Sequence, residues 1–281
     1  MSFSKEVKEE LFGIYPRARH CMVAELAGII LMQGFDSFRS PSEDALNRKV
    51  FTLLNKTLNI GKDVTALSND VFLESTKMLK LSDDESHVDE LVLQQPCCKR
   101  SFIRGAFLAA GSITDPNKGY HFEIVCPLEA QAKQLVKAMN VFDLGAKYVS
   151  RTGKYVVYLK EGAQVVEVLR VMEAAHSVME LENIRVVKEV RGRVNRKVNC
   201  ETANISKTVN TAVRQIEDIN LIEVKLGLET LPEQLQEIAQ VRLEYPDTPL
   251  GSLGQYLDPP IGKSGVNHRL KKLAAIAETL R

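Results

Sequence analysis

The chain has 281 residues, 37 basic and 36 acidic side chains, and a formal net charge of +1. This length allows two domains with a sizeable core. The balanced charge excludes an overall positive potential that would attract nucleic acid to the whole surface. No apolar run approaches the roughly 18 residues that span a bilayer, and the N-terminus does not resemble a signal peptide. We therefore expect a cytoplasmic protein without a membrane partner.

The cysteine pattern indicates reduced thiols. An odd number of cysteines without a CxxC pair is typical of a cytosolic protein, so we expect neither a metal site nor a cofactor. The five are Cys21, Cys97, Cys98, Cys126 and Cys200. Just before the first of them, Arg17, Arg19 and His20 are interpreted as a solvated basic turn.

An internal repeat fixes the architecture of the first part of the chain. Residues 24–34 (AELAGIILMQG) and 101–111 (SFIRGAFLAAG) share one pattern at an offset of 77 residues. Each copy predicts an amphipathic helix that ends at a glycine in the left-handed conformation. These end positions are Gly34 and Gly111.

Small residues at helical spacing form one stripe on each predicted helix. They are Ala24 and Gly28 in the first copy, and Gly105 and Ala109 in the second. Small side chains let two helix backbones approach closely. The repeat therefore predicts two helices packed on each other, ending at the same level.

The two copies resemble the LAGLIDADG motif of homing endonucleases, at Leu26–Gly34 and Ile103–Gly111. In that family the acid before the last glycine holds the catalytic metal, because divalent cations must bridge the scissile phosphate and activate water. Here those positions are Gln33 and Ala110, which offer no carboxylate. Glu25 lies about two turns upstream and cannot substitute. The resemblance therefore implies the fold without the nuclease chemistry.

The remaining periodicities place this part in the α+β class. Helices are predicted over 2–12, 44–58, 127–139 and 161 to about 187, strands over 63–67, 70–73, 119–126, 147–151 and 154–160, and an acidic loop over 82–90. The resemblance implies αββαββα halves, and the first half lacks most of a hairpin between Gly34 and Asp44. We assign residues 1–190 to a LAGLIDADG-like domain with halves of about 1–92 and 93–190.

A basic segment follows. Residues 185–199 carry six basic side chains against one acid, a net charge of +5. Two interpretations stay open: contact with DNA phosphates, or a solvated linker that charge keeps extended. A helix resumes over 206–219, so we assign 191–220 to a basic linker and helix. The candidate phosphate contacts are Arg191, Arg193, Asn195, Arg196 and Lys197.

The last segment, 221–281, predicts a three-helix domain of the helix-turn-helix type. Its helices run from Pro232 to Leu243, from a Thr248 cap through Tyr256, and from Lys263 towards Ala277. The last has an apolar stripe of Val266, Leu270, Leu273 and Ala277. Its outer stripe is the candidate DNA-reading surface, because a recognition helix presents N-terminal residues to base edges. These candidates are Lys263, Ser264, Asn267, His268, Arg269, Lys271 and Lys272.

Together these features resemble the bacterial WhiA family. The most specific stretches are Arg196–Asn204 and Lys263–Leu270. The resemblance implies a sequence-specific, non-catalytic regulator that binds double-stranded DNA. It implies roles in transcription control of sporulation or cell division and in chromosome segregation, at the nucleoid. Another regulatory protein is a further possible partner, and no small-molecule substrate is expected.

Two alternatives remain. A nuclease with displaced metal ligands would use Asp36 and Asp115, which lie just beyond the two motif copies. A protein-interaction platform would bind a partner through the first domain and use the tail only as an accessory.

Overall fold

The computed structural model describes residues 2–38, 42–58, 69–82 and 86–281. The chain divides into two compact units, Met1–Glu189 and Val190–Arg281. No described helix is long and apolar enough to cross a membrane.

Among the described residues, the regular elements of the first half of the first unit are helices. Its helices are α1 (Phe3–Phe12), α2 (Arg19–Gln33), α3 (Ala45–Leu58) and α4 (Asn69–Leu79), with a 3₁₀ turn at Phe35–Phe38. The strand predicted over 70–73 is wrong, since these residues lie in α4, and the strand predicted over 63–67 lies outside the described residues. Within 2–38, 42–58, 69–82 and 86–92 the strand-type pairing is a single bridge between Leu81 and Val88.

The second half has the complete αββαββα plan. Its elements are α5 (Pro96–Ala110), β1 (Gly111–Ile113), β2 (Phe122–Cys126), α6 (Glu129–Asn140), β3 (Lys147–Arg151), β4 (Lys154–Leu159) and α7 (Gly162–Val171). The four strands pair antiparallel in the order β1-β2-β4-β3. The α+β fold is confirmed. Of the four strands, the one that was not predicted is β1, which is too short to show alternation.

One predicted helix is wrong because it spans a break. Residues 161–187 form two helices, α7 and the start of α8 (Ala175–Leu226). Glu173 between them has φ +70°, a left-handed conformation that ends a right-handed helix. No glycine or proline marks this position, so the usual signal for the end of a helix is missing.

The core of the first unit is organised around α2 and α5, whose backbones touch. A Cβ added at Gly28 would lie 2.3 Å from the Phe102 carbonyl oxygen, and one at Gly105 would lie 2.2 Å from the Glu25 carbonyl oxygen. Such distances exclude any side chain at either glycine. Ala24 is fully buried on the same stripe and Ala109 is partly buried.

The two motif glycines that end these helices differ. Gly34 has φ +76° and caps α2 as expected, whereas Gly111 has φ −90°. The left-handed cap predicted at Gly111 is wrong because the chain enters β1 directly and stays extended. A Cβ at Gly111 would lie 2.1 Å from the Phe107 ring, so this glycine is required by space and not by conformation.

The second unit is all-helical. The C-terminal part of α8 is followed by a 3₁₀ turn at Leu228–Thr230, α9 (Glu233–Glu244), α10 (Leu250–Leu253) with a 3₁₀ extension at Gly254–Tyr256, and α11 (Lys263–Leu280). Its separate core includes Ile219 and Ile222 of α8, Ile238 of α9 and Leu253 of α10. The helix-turn-helix class expected for this segment is confirmed.

The extended-linker interpretation of the basic segment is wrong, because residues 191–220 lie within the single helix α8. The segment carries valines at helical spacing, Val190, Val194 and Val198, which place the apolar groups on one side of a helix. Gly192 lies within this helix, and one glycine costs a helix only about 1 kcal/mol. The spacing of the valines therefore predicts this helix better than the glycine or the charge does.

Candidate nucleic-acid interface

The orientation of α11 follows from its apolar stripe. Val266, Leu270, Leu273 and Ala277 are all buried in the core of the second unit. Residues between them must then face outwards, because a helix turns about 100° per residue. Five of the candidate DNA-reading side chains are exposed: Lys263, Ser264, His268, Lys271 and Lys272.

A tight turn sets how α11 follows α10. A Cβ at Gly254 would lie 2.0 Å from the Ile261 carbonyl oxygen, and the Ile261 amide donates to the Gly254 carbonyl at 2.9 Å. Gly262 then precedes α11, and its carbonyl accepts from the Val266 amide at 3.1 Å. The close approach at Gly254 therefore fixes the start of α11, where a recognition helix reads bases.

Glu237 on α9 holds both this turn and α11. One carboxylate oxygen accepts from the Asp258 amide at 2.7 Å, and the other lies 3.2 Å from Arg269 Nη1. Arg269 also donates to the Gln234 carbonyl at 3.4 Å, and its side chain is only 16% exposed. Because its guanidinium is committed inside the unit, we leave Arg269 out of the proposed DNA contacts. Asn267 is half-buried at the edge of the exposed face.

Arg242 supports the unit from within. It is buried, and its Nη1 donates to the carbonyls of Thr248 at 2.9 Å and Pro246 at 3.2 Å. Burial lowers the pKa of this guanidinium from its ordinary value. The N-cap of α10 is Pro249 and not the predicted Thr248, so Arg242 and not a capping hydroxyl orders this loop.

The basic segment is mostly exposed along α8. Its N-terminal bases are engaged within the first unit: Arg185 lies 2.9 Å from a Glu182 carboxylate oxygen, and Lys188 donates to the Pro116 carbonyl at 2.6 Å. The candidate phosphate contacts are exposed in the second unit; they are Arg191, Arg193, Asn195, Arg196 and Lys197. This stretch of four bases without an acid is a local positive surface on a near-neutral protein.

The C-terminal ends of α2 and α5 hold no carboxylate at the motif positions. Gln33 donates its amide to the Ala109 carbonyl at 2.9 Å, and Ala110 has no ligand atom. Asp115 accepts from the Asn117 amide at 2.9 Å, which lowers the pKa of its carboxyl. Among the described residues, neither Asp36 nor Asp115 belongs to a group of three or more converging His, Cys, Asp or Glu ligands.

Glu25 belongs instead to a network of buried charges. It is fully buried in α2, with its carboxylate oxygens 2.8 Å from Arg104 Nη2 and 3.0 Å from Lys49 Nζ. Arg104 extends the chain of charges to Glu173, at 2.7 Å. Burial lowers the pKa of Lys49, opposed by the charge of Glu25. The motif comparison indicates only that Glu25 cannot replace the metal ligand, and no sequence pattern predicted this buried network.

A second group was missed at the other ends of α2 and α5. His20, Cys21, Cys97 and Cys98 bring their ligand atoms within 4.8 Å of one another. Burial, followed by the neighbouring Cys97, raises the pKa of the Cys21 thiol to about 12. The 77-residue repeat could have found this group, because His20 pairs with Cys97 and Cys21 with Cys98 at that offset.

Fold and site define a protein with an α+β LAGLIDADG-like domain followed by a helical helix-turn-helix domain. The family model described as WhiA LAGLIDADG-like domain matches residues 99–191, and that described as WhiA C-terminal HTH domain matches 194–277. The chain belongs to the WhiA family.

Full-length relatives agree with this assignment. A "Probable cell division protein WhiA" of Lachnoclostridium phytofermentans is 46% identical, with 100% of both chains covered. A protein of the same name from Clostridium beijerinckii is 42% identical, over 100% of this chain and 99% of its own. The crystal structure of full-length DUF199/WhiA from "Thermatoga maritima" is similar with a TM-score of 0.57 at 27% identity, covering 99% of each chain.

Proposed function

We propose that this protein is a sequence-specific regulator that binds double-stranded DNA and does not cut it. The observation that carries the proposal is the exposed polar face at the start of α11, held outwards by a fully buried apolar stripe. In helix-turn-helix proteins this part of the recognition helix lies in the major groove. Lys263, Ser264 and Asn267 are the residues proposed to read base edges.

The basic stretch on α8 supplies the electrostatic part of binding. Residues 232–281 carry six bases and six acids, so the C-terminal helices alone offer no net attraction to phosphate. The exposed bases of 191–197 provide it, together with His268, Lys271 and Lys272 on α11. Phosphate contacts fix position, and base contacts give specificity.

Fluorescence anisotropy can separate base reading by α11 from phosphate contact by α8. The probe is a DNA fragment selected from genomic DNA by its binding to the full chain. Asn267→Ala should cost about 1–3 kcal/mol of binding and relax the preference at one base position. Lys197→Ala should weaken all sequences alike and lower the salt slope by about 1. Lys225→Ala is the matched control, because this lysine lies at the far end of α8 and donates to the Leu280 carbonyl.

Absence of binding at low salt would reject the proposal. Binding that none of the α8 and α11 substitutions affects would instead favour the interaction-platform alternative, in which the tail is accessory.

The absence of cutting is supported by the motif ends. A metal-dependent nuclease needs carboxylates at the scissile phosphate, and Gln33 and Ala110 offer none. We expect plasmid DNA to remain intact with the full chain and Mg²⁺. Cleavage that disappears in Asp115→Ala would contradict this and support displaced ligands.

The names of the relatives support a proposal for the cellular role. The named relatives are probable cell division proteins, and we propose control of transcription for cell division or sporulation, with a part in chromosome segregation. A fluorescent fusion should co-localise with the nucleoid, and Asn267→Ala should alter transcript levels of the genes next to bound sites.

A further inference from the structure

The N-terminal ends of α2 and α5 bring together four side chains of the kinds that bind zinc. His20 and Cys21 lie in the first turn of α2, and Cys97 and Cys98 in the first turn of α5. All four ligand atoms lie within 4.8 Å of one another. His20 Nδ1 is 3.1 Å from Cys98 Sγ and 3.3 Å from Cys21 Sγ.

These separations suit tetrahedral coordination. Zinc bonds of about 2.3 Å to sulfur and 2.0–2.1 Å to nitrogen place ligand atoms roughly 3.5–3.8 Å apart. The observed spacing needs only small side-chain rotations to reach this value. Three cysteines and one histidine make a closed structural set, with no position left for water or substrate.

The repeat explains why two ligands come from each helix. His20 and Cys97, Cys21 and Cys98, and Gly28 and Gly105 are all related by the same offset of 77 residues. Each helix therefore presents two adjacent positions of its first turn to the other. Because Gly28 and Gly105 hold the backbones in contact, the ligand pairs are held in place before any ion binds.

The surroundings allow an ion to enter and place the positive ends of two helices beside the thiols. Cys21 and Cys98 are buried, whereas His20 and Cys97 are exposed. Helix N-termini carry partial positive charge, which stabilises a thiolate in the first turn. Within the described residues this is the one group of three or more His, Cys, Asp or Glu whose ligand atoms converge in this way.

We propose that His20, Cys21, Cys97 and Cys98 bind one Zn²⁺, which ties the beginning of α2 to the beginning of α5. Each thiol releases its proton to water as its sulfur–zinc bond forms, and no electron is transferred. The expectation of no metal site came from the absence of a CxxC spacing. Here two helices each supply two adjacent ligands, so no spacing within one segment marks the site, and only the 77-residue repeat relates the two pairs.

Metal analysis of the full chain tests the proposal. The protein is purified without a polyhistidine tag or chelator, and its zinc content is measured by mass spectrometry; we expect one zinc per chain. Cys97→Ser and His20→Ala alter exposed ligands, so neither should leave a cavity in the core. Each should weaken zinc binding by more than the roughly 10–100-fold that loss of an outer-shell partner costs.

Two variants serve as controls. Cys200→Ser alters an exposed thiol on α8 and should leave the zinc content unchanged. His20→Cys should retain zinc, because four thiolates also form a structural site. Circular dichroism of each variant shows whether a lost metal reflects a lost ligand or a lost fold.

Cobalt replacement reports the ligands directly. Co²⁺ added to the metal-free chain should give intense visible bands of a tetrahedral ion and a sulfur charge-transfer band, with the latter reduced in Cys97→Ser. The proposal is overturned if no metal binds, if Cys97→Ser and His20→Ala retain full zinc content, or if mass spectrometry finds a disulfide within the group in freshly purified protein.

Discussion

The two ends of the α2–α5 pair share one backbone arrangement and differ in chemistry. At the C-terminal ends, where the motif of the LAGLIDADG family carries acids, the helices meet through the neutral hydrogen bond from Gln33 to Ala109. At the N-terminal ends, four potential zinc ligands converge. The close contact at Gly28 and Gly105 lies between the two ends and holds the two backbones together. Helix packing thus fixes where two sets of side chains meet, and the side chains alone decide what each end can bind.

The largest loss of stability is expected when the charge buried between the two ends is removed. Glu25→Ala removes the partner of Arg104 and Lys49 and leaves two buried cations unpaired. Removing one partner of a buried pair costs about 3–5 kcal/mol. Hydrogen exchange of α2 and α5 should accelerate strongly, and Glu9→Ala, which alters an exposed pair with Lys5, should change little. Equal rates in both variants would show that the buried network does not hold the helix pair.

The next effect should come from the glycine contact. Gly28→Ala places a methyl group against the Phe102 carbonyl, and the helices must move apart. Overpacking usually costs about 1–3 kcal/mol, and we expect the upper part of this range because backbone cannot rotate away. Gly119→Ala is the matched control, since nothing lies within 4 Å of its added Cβ. Urea unfolding followed by circular dichroism measures both, and equal stability would disprove the close approach.

A chelator should affect the two ends of the α2–α5 pair differently. If zinc ties the N-terminal ends, its removal from the full chain should speed hydrogen exchange in peptides covering residues 19–24 and 96–102, because metal binding is coupled to local folding. Peptides from the C-terminal ends of the same helices should change less. The same treatment of Cys97→Ser should have no further effect. Uniform acceleration along both helices would contradict a local tie.

The smallest effect is expected at the motif end itself. Gln33→Ala removes one exposed hydrogen bond, which contributes about 0.5 kcal/mol at the lower end of the usual range. Thermal unfolding should therefore shift only slightly, and DNA binding should be unchanged. A loss as large as that of Gly28→Ala would mean that the C-terminal ends, and not the glycine contact, hold the pair.

Much of the fold was predictable because it rests on local periodicity. The apolar stripe of α11 and the paired glycine helices were readable from spacing, since a buried face must recur with the helical period. Errors arose where the local signal was weak or misleading. Glu173 breaks a helix without glycine or proline, β1 has only three residues, and the charge of 191–197 hid the helical spacing of the valines beside it.

The sequence by itself determined the repeat, the neutral residues at the motif ends and the polar face of α11, because each is a property of one segment. Only the tertiary structure decided that Arg269 is held by Glu237, that Glu25 lies among buried cations, and that His20 and Cys21 meet Cys97 and Cys98. Each of these depends on side chains far apart in the chain. Which of these side chains meet is set by how the helices pack, and the order of residues along the chain does not give the distances between their side chains.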